Sequence, residues 1–262
     1  MNGTFVVARR ELGGLFKAPF TWILLLVVLF LNGALFSLFL ANSQGNVSES
    51  LEQSMTGLAF WVWMIFLPAL LSMRLIAEET RSGTLEYLLT APVSDAAVVV
   101  GKFLAATGFL AVLWTSSLIY AVALDGVGGS PDWSAVLGTW LGTVFVSGVF
   151  VAIGMLASTF TATPLLAAFL SMVACVSWLV LPWLAARALD YILPLVTTTP
   201  EGRDALVERV MGVVANMDAI RHFQRSFRLG VLDSAEVVFF VTWTAFFLFL
   251  TARSIEARRW RG

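Results

Sequence analysis

Six apolar stretches, each close to the length of a membrane crossing, constrain this chain more than any other feature. Read as helices they cover 20–41, 56–76, 98–124, 133–157, 164–186 and 235–252. A hydrocarbon layer ~30 Å thick takes ~20 helical residues to cross. Backbone in lipid must satisfy its own N–H and C=O groups, which a helix does within one segment. The stretches lack the polar–apolar alternation of lipid-facing strands. Composition agrees: 59% of residues are apolar and 13% charged, against roughly 45–50% and ~25% in a soluble domain, so there is too little charge to cover a water-facing surface. The predicted architecture is an all-α integral membrane protein of six spans, a single transmembrane domain over residues 1–262.

The uninterrupted apolar cores, 20–41, 56–73, 103–124, 133–157, 164–186 and 237–252, contain no Asp, Glu, Lys, Arg or His. Ion-coupled carriers place ionisable groups at mid-membrane, so a gradient-driven carrier is disfavoured. A net charge of −1 offers no field to gather nucleic acid. Cys175 is the single cysteine, which excludes an internal disulfide; within an apolar run it reads as packing. His222 has no second His or Cys with which to share a metal, and no Ser or Thr in a span has a buried base. No catalytic, cofactor-binding or metal residue is therefore expected. The first apolar run begins near Phe20 without a cleavage signal, so it is expected to remain on the chain.

Charge sets the expected orientation. Arg9, Arg10 and Lys17, then Arg74, Arg81 and Lys102, then Arg253, Arg258, Arg259 and Arg261 fall on one side of a six-span layout. The opposite short loops, 42–55 and 125–132, hold no Lys or Arg. The positive-inside rule puts both termini in the cytoplasm and residues 187–234 outside.

Three segments outside the spans have helical patterns. Residues 4–18 predict a helix lying on the cytoplasmic leaflet, with Phe5, Leu12, Leu15 and Phe16 on one face. Between spans two and three, Leu85, Leu88 and Leu89 have i, i+3, i+4 spacing, beside Glu78, Glu79, Arg81 and Glu86. Pro92 ends that helix, and Ser94 with Asp95 starts the next. An apolar stripe facing the cytosol needs cover, from a soluble partner or from lipid and the protein's own spans. Outside, residues 203–228 carry two stripes: Leu206, Val207, Val210, Met211 and Val214, then Ile220, Phe223 and Phe227. With Arg221, Arg225 and Arg228 on the other face, this segment fits the outer leaflet or a cap on the exit side. Ser134, Gly138 and Gly142 put small residues on one face of span four, a candidate helix interface. Pro68 and Pro182 are positions where spans two and five can kink. Asn32, Ser37, Thr56, Trp61 and Trp63 are polar or aromatic candidates for a path, with burial in protein or lipid as the alternative.

Residues 73–106, MRLIAEETRSGTLEYLLTAPVSDAAVVVGKFLAA, combine Glu78-Glu79, Arg81, Ser82-Gly83-Thr84, Leu88-Leu89, Pro92-Val93-Ser94 and Gly101-Lys102-Phe103. In this pattern the chain resembles permeases of ABC-2 type transporters, and among them the branch of gliding-motility and nitrous-oxide-reductase-maturation permeases. Residues 222–240 and 250–262 resemble the same branch, so the likeness covers nearly the whole chain. It implies the permease subunit of an ATP-binding-cassette exporter, multi-pass in the cell membrane of a prokaryote. It further implies pairing with a second permease, identical or paralogous, and drive from separate ATPase subunits that hold ATP and magnesium; an accessory extracytoplasmic subunit is a compatible partner. By the same resemblance the loop between spans two and three carries a coupling helix, with Glu79, Arg81, Thr84, Leu85, Leu88 and Leu89 as its ATPase-facing residues. Ser158, Thr159, Phe160 and Thr161 would form a second coupling loop, and the N-terminal helix would be the family's connecting helix. This chain itself lacks a phosphate loop: before Gly101-Lys102 the first glycine is replaced by Ala96, and Phe103 offers no hydroxyl to magnesium. Lys102 reads instead as a snorkelling residue at the membrane edge. A membrane scaffold without transport activity is the alternative function.

Overall fold

The computed structural model describes residues 3–83, 94–196, 212, 214 and 216–259. Their secondary structure is helical, with no strand among them: α1 Gly3–Lys17, α2 Pro19–Asn42, α3 Val47–Thr56, α4 Leu58–Leu75, α5 Ala77–Ser82, α6 Asp95–Gly126, α7 Trp133–Ser158, α8 Pro164–Val196, α9 Ala219–Arg225 and α10 Ser234–Arg259. A 3-10 turn, Phe227–Leu229, follows α9. Six stretches are long and apolar enough to cross a membrane: Pro19–Asn42, Val47–Ser82, Asp95–Gly126, Trp133–Ser158, Pro164–Ala188 and Ser234–Ala257. The protein is an all-α integral membrane protein whose spans follow the hydropathy pattern.

Local signals set the helix ends. Ser94 Oγ accepts the N–H of Ala97 at 3.3 Å and caps α6, satisfying a donor that the first turn leaves free. Asp132 caps α7, accepting from Ser134 N at 3.0 Å and Ala135 N at 3.3 Å. The Ser134 hydroxyl and these N–H groups hold its carboxyl below the usual aspartate range. Gly83 ends α5 with φ 72°, a left-handed conformation that a residue without Cβ adopts at no steric cost.

The bundle is organised around α7. Of its most apolar window, 78% is buried inside the protein, against 17% for α2 and α10. Small residues explain this, because they let backbones approach closely. A Cβ on Gly154 would run into the Ser72 side chain of α4, and one on Gly148 would lie 3.4 Å from Phe103 of α6. Without bulk at these positions α4, α6, α8 and α10 all pack on α7. By contrast α2, α8 and α10 keep large apolar side chains outward, among them Phe30, Leu165 and Phe249.

Three expectations change. The predicted loop 42–55 contains α3, capped by Asn46, whose side chain accepts from Glu49 N at 3.3 Å. Its mean polarity hides an apolar pair one turn apart, Leu51 and Met55, both buried. The fifth span's helix continues beyond 186 to Val196. In α1 the inward residues are Val7 and Leu15, with Leu12 and Phe16 partly buried, while Phe5 is 60% exposed. The helix is held by protein, not by lipid alone. It lies on α6 at Gly101, where a Cβ would sit 2.8 Å from Val7 Cβ.

Candidate functional site

Two polar assemblies mark opposite ends of the bundle. The first lies at the end that carries both termini, where α1, α5 and the start of α6 meet. Lys102, in the second turn of α6, is 1% exposed. Its Nζ donates to Glu79 Oε1 at 2.6 Å and lies 3.3 Å from Glu11 Oε1. Arg10 closes the group, 2.8 Å from Glu11 and 3.7 Å from Glu79. The expectation that Lys102 snorkels to water is corrected: its ammonium turns inward because two carboxylates await it there. An unpaired buried ion costs several kcal/mol, so the arrangement holds only with its partners in place. Burial pushes the Glu11 carboxyl up, but Lys102 and Arg10 outweigh it and hold the group below the usual glutamate range. A cleft of about 310 Å3 between α1 and α4–α5 reaches the cluster, bordered by Glu11, Arg74, Glu78 and Glu79.

The residues expected on the ATPase-facing surface separate here. Glu79 is turned into the cluster, whereas Arg81 is exposed. Thr84, Leu85, Leu88 and Leu89 lie outside the described residues. In the second expected loop Ser158 and Thr159 are buried. Ser158 Oγ donates to Met155 O at 2.8 Å, and Thr159 Oγ1 receives a hydrogen bond from Ser254 of α10 at 2.8 Å. Phe160, 68% exposed, and half-buried Thr161 are what that loop presents outward.

The second assembly caps the other end. Asp218 starts α9, accepting from Ile220 N at 3.0 Å and Arg221 N at 3.1 Å. Phe223 and Phe227 then point into the bundle, both fully buried. Phe223 lies 5.6 Å from the rings of both Phe60 and Trp61. The face formed by Ser134, Gly138 and Gly142 receives this segment: a Cβ on Gly138 would come 2.6 Å from Phe227 O, and one on Gly142 the same distance from Phe227 Cβ. Thr139 Oγ1 donates to the Phe227 carbonyl at 3.4 Å. His222 pairs through Nδ1 with Glu236 of α10 and stacks on Phe239 at 3.9 Å. Arg228 reaches Glu52 of α3 at 2.9 Å. Of the two placements open for this segment, residues 216–230 form a cap; 203–211 lie outside the described residues.

The candidate path residues scatter. Asn32 borders a mostly apolar cleft of about 20 Å3 that Ser116, Tyr120 and Thr143 also line, room for roughly one water by volume. Ser37 Oγ donates to Ala34 O, Thr56 Oγ1 donates to Glu52 O, and Trp61 packs against Phe60. Cys175 is buried and unpaired. Among the described residues no three His, Cys, Asp or Glu side chains converge. Sequence reasoning missed two pairings, Lys102 with Glu11 and Glu79, and His222 with Glu236. The available signal was an ionisable residue at each span edge; Glu236 stands 14 residues from His222, but Glu79 and Glu11 lie 23 and 91 residues from Lys102, and only the fold brings them to it.

The class this defines is a polytopic helical membrane protein with a charged platform at one end and an aromatic cap at the other. The family described as ABC-2 family transporter protein matches residues 15–177, from the end of α1 through the first half of α8. The chain belongs to that family and is the membrane-spanning component of an ABC transporter. No curated protein matches the chain.

Proposed function

We propose that this chain is the permease subunit of an ABC exporter in a prokaryotic cell membrane, driven by ATPase subunits that dock on the loop between α5 and α6. The observation that carries this reading beyond the family is the course of α5. It leaves α4 at Ile76, holds Glu79 inward against α6, and brings Arg81 out to solvent at the start of that loop. Glu79 thus links α5 by one side chain to the start of the third span. The excess of Arg and Lys at this end supports a cytoplasmic location for it, and the motif over 78–103 supports the gliding-motility and nitrous-oxide-reductase-maturation branch. Phe160 and Thr161 form the smaller second contact.

A second permease, identical or paralogous, completes the path. An apolar groove of about 810 Å3 between α2, α4 and α8 supports this; Phe20, Ile23, Phe66, Phe169 and Met172 line it. ATP bound by the partner subunits supplies the free-energy difference between inward- and outward-open arrangements.

The test is copurification of the tagged protein from its native host, as wild type and as Leu85→Asp/Leu88→Asp. A nucleotide-binding ATPase should accompany wild type and be lost from the variant. If none accompanies wild type even after mild crosslinking, the exporter reading fails and a membrane scaffold replaces it.

A further inference from the structure

The ion cluster ties α5 to two elements that already pack closely on one another, α1 and α6. The backbone of α5 packs on α4 and α8. Its Glu79 reaches across to α6 and α1, taking the ammonium of Lys102 at 2.6 Å and lying 3.7 Å from Arg10. Lys102 also meets Glu11 of α1 at 3.3 Å, and at the preceding residue Gly101 brings the two backbones together. Among the described residues two cations, Arg10 and Lys102, face two carboxylates, Glu11 and Glu79. The geometry of the cluster is therefore hard to change piecemeal. Moving α5 away from α6 would take the mostly buried Glu79 carboxylate from Lys102 and Arg10 and leave the buried ammonium with Glu11 alone, which is unfavourable. Moving all three elements together strands nothing.

We propose that Lys102 is the positioning residue that fastens α5 to the packed pair of α1 and the start of α6, so that displacement of the loop following Gly83 reaches the third span, and with it the N-terminal helix, through the Lys102–Glu79 pair. This rests on the reading that an ATPase docks on that loop. Glu79 is then the arm that receives the movement, and the packing of α1 on α6 at Gly101 carries it to α1.

The test uses the purified permease–ATPase complex in nanodiscs and hydrogen-exchange mass spectrometry, without nucleotide and with ATP plus vanadate. In wild type, nucleotide should change exchange in the loop after α5, in α1 and in the first turns of α6. Lys102→Met/Glu79→Gln removes one positive and one negative charge and leaves Arg10 and Glu11 paired. In that variant the nucleotide effect should remain in the loop and be lost from α1 and α6. Lys102→Arg, which keeps the charge, should retain it throughout. Glu11→Gln, which leaves the Lys102–Glu79 pair and the packing of α1 on α6 in place, should keep the effect in both. A role confined to stability would alter exchange equally in both nucleotide states and leave the difference intact. The inference is overturned if nucleotide leaves α1 and α6 unchanged in wild type, or if the double variant keeps the response there. Should the double variant not assemble, a response persisting in α1 and α6 in Glu79→Gln overturns it equally. Absence of any ATPase from the wild-type preparation would instead refute the docking reading.

Discussion

The two ends of the bundle are fastened by different physics. At the end with the termini, α1, α5 and α6 are joined by a buried ammonium between two carboxylates. At the other, the segment 218–230 is seated by Phe223 and Phe227 against the glycine face of α7. Ion pairs are sensitive to the loss of a charge and tolerant of small changes in shape, because a flexible side chain can follow its partner. Aromatic rings over glycines are the reverse: charge is irrelevant there, and a single methyl group matters. The first end therefore answers chiefly to changes of charge, the second to changes of volume.

That contrast can be broken most forcefully at Lys102. Lys102→Met leaves Glu79 without its ammonium partner and should destabilise the protein by ~3–5 kcal/mol, read as a lowered thermal midpoint in nanodiscs; adding Glu79→Gln should recover much of the loss. If Lys102→Met is neutral, the end is held by packing after all. Phe227→Ala is the counterpart at the cap. It should cost about 3–5 kcal/mol by the same assay, and no change of charge elsewhere should rescue it. Gly142→Ala comes next, at about 1–3 kcal/mol from overpacking. Its added methyl falls on Phe227, and protease access to the 218–230 segment should rise with it.

Acid sharpens the comparison further. Because Glu11 is held below the usual glutamate range in the folded protein, its contribution is complete above that range and is lost as pH falls through the depressed folded value. The thermal midpoint of wild type minus that of Glu11→Gln should therefore be constant from neutrality to about pH 5, and should shrink only below roughly pH 4.3. A difference that shrinks near neutrality would contradict the assigned pairing. The smallest effect belongs to Arg228→Gln. The pair with Glu52 is exposed by 39% and 52% at its two side chains, so its loss should cost about 0–1 kcal/mol and vanish in high salt.

Much of this molecule was legible before any coordinates. The spans could be read because hydropathy over twenty residues is a property of the segment itself, and the Ser94 cap because it satisfies a donor three residues away. The short helix α3 was hidden because its two inward residues, Leu51 and Met55, sit among polar neighbours. The face of α1 was misread at Phe5 because amphipathic spacing alone does not say which neighbour an apolar side chain will find. Lys102 was misread for a related reason: a lysine at a span edge normally reaches water, and only the arrival of α1 and α5 provides a better partner.

By itself, the sequence determined that the chain is helical, crosses a membrane six times, and carries the segment pattern of an ABC-2 permease. Each of these is a short-range property, set by local hydropathy, capping and composition. Only the tertiary structure decided that Gly101 admits α1, that Lys102 faces inward, that His222 meets Glu236, and that Gly138 and Gly142 receive Phe227. The physical reason is that burying a charge or closing a backbone contact depends on groups brought from distant positions. Their favourable energy exists only once the helices have packed.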